Sequence, residues 1–157
     1  MGSLYQYFPN KATSLLQLHV REARHILLCV QQALHQDGKT PAQRVHNAVR
    51  VFFATEAAEA PLRNAVARAN TLFADAAEFK EIEDAARQFV RSFAATQLHI
   101  AAPQAGGAAE LVITVVSSMA ERVTSHTTAP VALDYWADCV FDMLMAVLPL
   151  PKRPRRR

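Results

Sequence analysis

The chain has 157 residues, 51% of them apolar, with 17 basic and 14 acidic side chains for a net charge of +3. This length suits a single domain with a core of ordinary size. Abundant alanine and only four glycines favour helices over strands. No apolar run reaches the roughly 18 residues that a membrane span needs, and the first residues lack the pattern of a secretory leader. We therefore expect a cytoplasmic protein with no membrane partner.

The positive charge is concentrated at the end of the chain. Five basic residues lie within 152–157, and without them 12 basic residues remain against 14 acidic ones. A proline-interrupted basic run is typical of a solvated, disordered terminus. It could also attract phosphate groups without sequence preference. We therefore predict a basic disordered tail over residues 151–157.

The first residues predict a short helix, a break and the start of a second helix. Leu4 and Phe8 are four residues apart, so they share one helical face. Pro9 lacks an amide hydrogen and is expected to end this helix. Asn10 is a good N-cap for a second helix that opens at Lys11. A short helix with polar groups on its outer face can enter the major groove of DNA.

The middle of the chain predicts three helices. An apolar stripe at steps of three and four residues indicates one long helix over 11–36. Gly38 suits a left-handed cap that ends it. The run Thr40–Gln43 reads as a capping box, which opens a helix over 41–57. Pro61 is expected to begin a separate short helix over 61–69.

The second half of the chain predicts three more helices. The first covers 75–101, and Pro103 with Gly106–Gly107 is expected to break the chain after it. A helix over 108–125 follows, and the last runs from Pro130 to its stop at Pro149. No stretch alternates as a strand would, so the predicted fold class is all-α.

Catalysis and metal binding find little support in the sequence. The six histidines include no HxxxH pair, and the two cysteines, Cys29 and Cys139, form no zinc or CxxC motif. The acidic run at 78–84 suits the solvated start of a helix. We therefore expect no enzyme activity, no metal and no cofactor.

The first sixteen residues match a known pattern. The run Gly2–Phe8, followed by Asn10–Lys11 and Leu15–Leu16, resembles the recognition helix and the start of the next helix in TetR-type transcriptional regulators. The alternative is an unrelated amphipathic helix, which would account for Leu4 and Phe8 but not for the whole set.

The resemblance implies a fold and a division of the chain. Residues 1–10 would be the remnant of a helix-turn-helix DNA-binding domain, reduced to its recognition helix. Residues 11–150 would form a helical ligand-binding and dimerisation domain, ahead of the tail. In the family two helices precede this motif, so we expect the chain of 157 residues to bind operator DNA poorly. A misplaced start and a true loss both remain open.

The resemblance also implies three sets of functional residues. DNA contacts would come from Gly2, Ser3, Tyr5, Gln6, Tyr7 and Lys11. A small apolar or aromatic effector would contact His25, Cys29, Phe52, Phe53, Phe89, Phe93 and Gln97, although an aromatic stripe at helical spacing can equally be core. The last two helices are apolar on more than one face, and a homodimer would pair them through Leu111, Val115, Met119, Trp136, Val140, Met143 and Leu144.

The resemblance implies a transcriptional regulator, in the simplest form a repressor that a small-molecule effector releases from its operator. One alternative is a dimerisation and ligand-binding module that lacks a complete DNA-binding domain. Such a module would titrate full-length partners into inactive dimers. Another is a helical bundle whose basic tail binds nucleic acid without specificity.

Overall fold

A computed structural model describes residues 9–69 and 77–150, apart from the side chains of 9–13, 15, 16 and 63–69. These ranges contain five helices and no strand, which confirms the all-α prediction. The helices are α1 (Pro9–Leu34), α2 (Pro41–Ala69), α3 (Ala77–Thr96), α4 (Ala102–Thr124) and α5 (Pro130–Val147). None of these five helices is both long and apolar enough to cross a membrane.

Helix α1 begins earlier than the sequence predicts. Pro9 is its first residue rather than a break before it, because the first amide of a helix has no intrahelical acceptor and proline loses nothing there. The predicted short helix before it lies outside the described residues. Val20, Ile26 and Leu34 bury the inner face of α1.

The turn between α1 and α2 has the predicted local structure. Gly38 adopts a φ of 75°, which is the left-handed region that glycine enters at no steric cost. The capping box is present in both directions: the Thr40 amide donates to Gln43 Oε1 at 2.9 Å, and the Gln43 amide donates to Thr40 Oγ1 at 3.3 Å. These bonds fix the direction in which α2 leaves the turn.

Helix α2 is continuous through Pro61, so the prediction of two separate helices was wrong. Proline removes the bond to the carbonyl four residues earlier, but Ala57 and Ala60 are buried on the inner face beside it. Their packing against the core holds the helix together across the missing bond.

Helix α3 ends at Thr96, five residues before its predicted end. His99 has a φ of 55°, a left-handed conformation in which histidine is enriched among residues other than glycine. The amide of Ile100 donates to the Ala94 carbonyl at 3.0 Å, and the Ile100 side chain is buried. This bond closes the end of α3 around a left-handed residue that is not glycine, so the sequence carries no glycine signal for the end of the helix.

Helix α4 starts at Ala102, so the predicted break at Pro103 and Gly106–Gly107 was wrong. Proline is compatible with the first turn. The two glycines lie inside the helix, where Ala105, Ala108 and Ala109 around them are buried. Burial of these small side chains offsets the low helix propensity of glycine.

The core forms around α2. Phe53 of α2 is completely buried together with Val140 and Leu144 of α5, and α2 packs against α1, α4 and α5. Helix α3 joins the bundle mainly through α4. There Arg87 binds Glu110, and this hydrogen bond raises the pKa of the Arg87 guanidinium above its ordinary value.

Two glycine substitutions test this description of the backbone. An added methyl group at Gly106 or at Gly38 would meet no atom within 4 Å, but only Gly38 has a positive φ. Gly106→Ala should therefore raise the free energy of unfolding by about 0.5–1 kcal/mol. Gly38→Ala should lower it by about 1–2 kcal/mol. Urea unfolding at one fixed protein concentration measures both, and a loss of stability in Gly106→Ala would contradict a continuous α4.

Candidate functional site

A small cavity lies where the end of α1, the start of α2 and the second half of α3 meet. Its volume is about 110 Å³. It is lined by Leu34, His35, Arg44, Phe89, Ser92, Phe93, Thr96 and Gln97. A shallower depression on α3 shares Phe89 and Ser92 with it.

The turn between α1 and α2 positions the two basic side chains of this cavity. Arg44 lies one residue after the capping box, and its Nε donates to the Lys39 carbonyl at 3.1 Å. His35 Nδ1 donates to the Gln31 carbonyl at 2.8 Å, and the ring centroid of His35 lies 5.4 Å from that of Phe89. The turn therefore holds a guanidinium and an imidazole beside the aromatic face of α3.

The lining combines an apolar wall with donors for an anion. Phe89 and Phe93 supply the aromatic surface, while Ser92 and Gln97 add polar groups. Arg44 carries the permanent charge, and none of the eight lining residues is acidic. Guanidinium groups bind carboxylates strongly and with defined geometry. The cavity is therefore suited to a small molecule with a flat apolar body and an anionic group.

The structure brings three of the predicted effector residues together and separates the rest. Phe89, Phe93 and Gln97 line the cavity. Phe53 is part of the core, with no exposed surface, and Phe52 packs against that core. The remaining two, His25 and Cys29, lie on α1 and contact each other outside the cavity.

The predicted DNA contacts lie almost entirely beyond the described residues. Gly2, Ser3, Tyr5, Gln6 and Tyr7 are outside those ranges. The backbone of Lys11 is in the first turn of α1, but its side chain is not among those described.

The predicted dimer residues fall into two groups. Val140 and Leu144 are buried in the core of the single chain, so they are not available to a partner in this fold. Val115 and Met119 are partly buried against the same core. The others keep exposed surface: Leu111, Trp136 and Met143.

Helix α5 carries a wide apolar face that nothing in the described part of the chain covers. Val131, Tyr135 and Val147 are 83%, 63% and 55% exposed, and the sequence prediction did not include them. At 100° per residue these three spread over about 160° of the helix surface together with Trp136 and Met143, and the exposed Asp142 falls between Val131 and Tyr135. We call these five residues the α5 face. Within it, Tyr135 meets Trp136 edge-on at 5.7 Å, and a hydrogen bond with Cys139 raises the pKa of Tyr135.

Charged residues on the flank of α5 hold this helix on α2. His46 Nε2 lies 2.7 Å from Asp138 Oδ1. Arg50 lies 3.2 Å from Asp134 and 3.5 Å from Asp138. Sequence analysis missed this cluster because its members are some ninety positions apart. The burial of Val140 and Leu144 in the core sets which side of α5 faces inward, and the cluster adds half-exposed contacts with α2 at the flank.

Within residues 9–69 and 77–150, no three or more His, Cys, Asp or Glu side chains lie close enough to hold a metal ion together. Comparison with protein-family models and with curated proteins found no match for this chain.

Proposed function

We propose that this chain is a TetR-type transcriptional regulator that works as a homodimer and responds to a small molecule. The observation that carries the proposal is the dense Gly2–Leu16 motif, which leads directly into a long helix of an all-helical domain. A recognition helix must be joined to a domain that sets its position on DNA. Helix α1 is in the position to make this connection.

The position of α1 supports a coupling between DNA and effector. Its 26 residues span about 39 Å at 1.5 Å per residue. Its first residues, Pro9–Leu16, are the end of the motif, and Leu34 and His35 at its other end line the cavity. Ring contacts tie it to α3 at two points: His19 to Phe79 at 4.8 Å and His35 to Phe89 at 5.4 Å. A ligand that separates α1 from α3 would therefore tilt the helix that carries the DNA-binding motif.

The composition of the cavity supports a particular class of effector. Phe89 and Phe93 favour the apolar or aromatic body expected from the sequence, and Arg44 adds a partner for an anionic group. In this proposal the unliganded dimer occupies its operator and blocks transcription. An aromatic carboxylate in the cavity shifts α1 and releases the DNA.

The α5 face supports the dimer. Its exposed apolar side chains extend from Val131 to Val147 and are interrupted by Asp142, and a large exposed apolar patch is usually covered by another protein surface. A two-fold axis pairs a patch with its own copy, so α5 packing against the partner's α5 would cover both at once. Two recognition helices would then be held at a fixed spacing for two half-sites.

The α5 face also favours a second candidate function. A domain that pairs through α5 without contacting DNA would titrate related full-length regulators into inactive dimers. This module would need the α5 face and the cavity but no base contact from the motif. Occupancy of chromosomal DNA therefore separates the two functions.

Chromatin immunoprecipitation tests the DNA-binding proposal. The protein is tagged after Arg157 at its own chromosomal locus, so that it is produced with its natural start. We expect enrichment at promoter sites with two-fold symmetry. Gln6→Ala should reduce occupancy about 5- to 100-fold, because a good base contact contributes about 1–3 kcal/mol. The control Lys39→Ala, in the exposed turn after α1, should leave occupancy unchanged. No enrichment at any site would overturn DNA binding and favour the titrating module.

Benzoate tests the effector class, because its ring and carboxylate match the two parts of the cavity. It should raise the unfolding temperature of the chain. Arg44→Met should weaken binding about tenfold or more, since a hydrogen bond to a charged group contributes about 1.5–3 kcal/mol. The control Lys39→Met removes a nearby charge outside the lining and should bind normally. Equal responses in both variants would contradict recognition by Arg44.

A further inference from the structure

His25 and Cys29 form a pair on α1 that the proposed regulator does not use. They lie one turn apart, and Cys29 Sγ is 3.6 Å from His25 Nε2. His25 is exposed and Cys29 is partly buried, so both ligand atoms are within reach of solvent. Neither residue lines the cavity. The pair is therefore a separate site, and its chemistry is independent of the proposed function.

The distance between the two atoms matches that of two ligands on one tetrahedral metal ion. Zinc binds cysteine sulfur at about 2.3 Å and histidine nitrogen at about 2.0–2.1 Å. At a tetrahedral angle these bond lengths place sulfur and nitrogen about 3.6 Å apart. The side chains as they stand thus need little rearrangement to take up an ion. A thiol–imidazole hydrogen bond would occupy the same geometry when no metal is bound.

We propose that His25 and Cys29 form a two-residue chelate for a borderline-soft divalent ion such as Zn²⁺, with water in the remaining positions. On binding, the thiol loses its proton to solvent and the thiolate and the neutral imidazole each donate a lone pair to the metal. No electron is transferred. The helix itself preorganises the site, since residues at i and i+4 lie one above the other.

The surroundings of the pair are compatible with a cation. Arg21, one turn before His25 on the same row, has its guanidinium paired with Glu22 at 3.1 Å, and the exposed Arg24 precedes His25 but lies about 100° away around the helix. The second thiol of the chain gives an internal contrast. Cys139 contacts the Tyr135 hydroxyl and no imidazole lies one turn from it, because positions 135 and 143 are tyrosine and methionine.

Cobalt titration tests the proposal, because Co²⁺ replaces Zn²⁺ in such sites and a thiolate ligand gives a charge-transfer band in the near ultraviolet. The protein carries Cys139→Ala, so that only one thiol remains. We expect one Co²⁺ per chain and loss of the band on addition of Zn²⁺. Cys29→Ala should abolish the band, and His25→Gln should weaken binding about tenfold or more.

The matched control is His35→Gln, which removes another histidine of the α1–α2 segment, one whose Nδ1 is bonded to the Gln31 carbonyl. It should leave the titration unchanged. Circular dichroism of each variant confirms that the helices are intact. The proposal is overturned if no thiolate band forms, or if His25→Gln binds cobalt as tightly as His35→Gln does.

Discussion

Phe53 has no exposed surface, and the helix that carries it packs against α1, α4 and α5. Helices α1 and α5 bury their inner faces mainly against α2, whereas α4 packs against both α2 and α3. Ala48, Val49 and Ala57 continue the same buried strip along α2, so small residues let the neighbours approach closely. The orientation of α1 at one side and α5 at the other follows from this central helix. The cavity and the α5 face are both consequences of where α2 places its partners.

The parts of the fold that could be predicted are those fixed by local chemistry. Thr40 and Gln43 specify their capping box, Gly38 its left-handed turn, and Pro130 the start of α5, whatever the rest of the chain does. The wrong boundaries arose where burial overrides a local preference. Pro61 and Gly106–Gly107 lie within helices because their buried neighbours hold the helix together, and no local pattern reveals that burial.

The site was partly predictable for the same reason. Phe89, Phe93 and Gln97 lie on one helix, so helical spacing alone groups them. Arg44 could not be placed with them from the sequence, since the turn after α1 brings it there from another element. His25 and Cys29 are four residues apart, so the sequence shows them as an HxxxC spacing. A search for HxxxH pairs does not detect this spacing. Val131 and Tyr135 were missed because α5 is apolar on more than one face, and the sequence does not show that the core takes Val140 and Leu144 and leaves these two exposed.

Sedimentation equilibrium is the most direct test of the central claim, that the α5 face joins two copies and so gives the regulator its two-fold symmetry. We predict a mass of twice the 17.3 kDa of the chain. Tyr135→Glu should shift the mass to that of one chain, because a charge would be buried in the interface. Leu28→Glu, the same change at an exposed leucine of α1, should leave the dimer intact. A single-chain mass for the unaltered protein, or a dimer that survives Tyr135→Glu, would contradict this account.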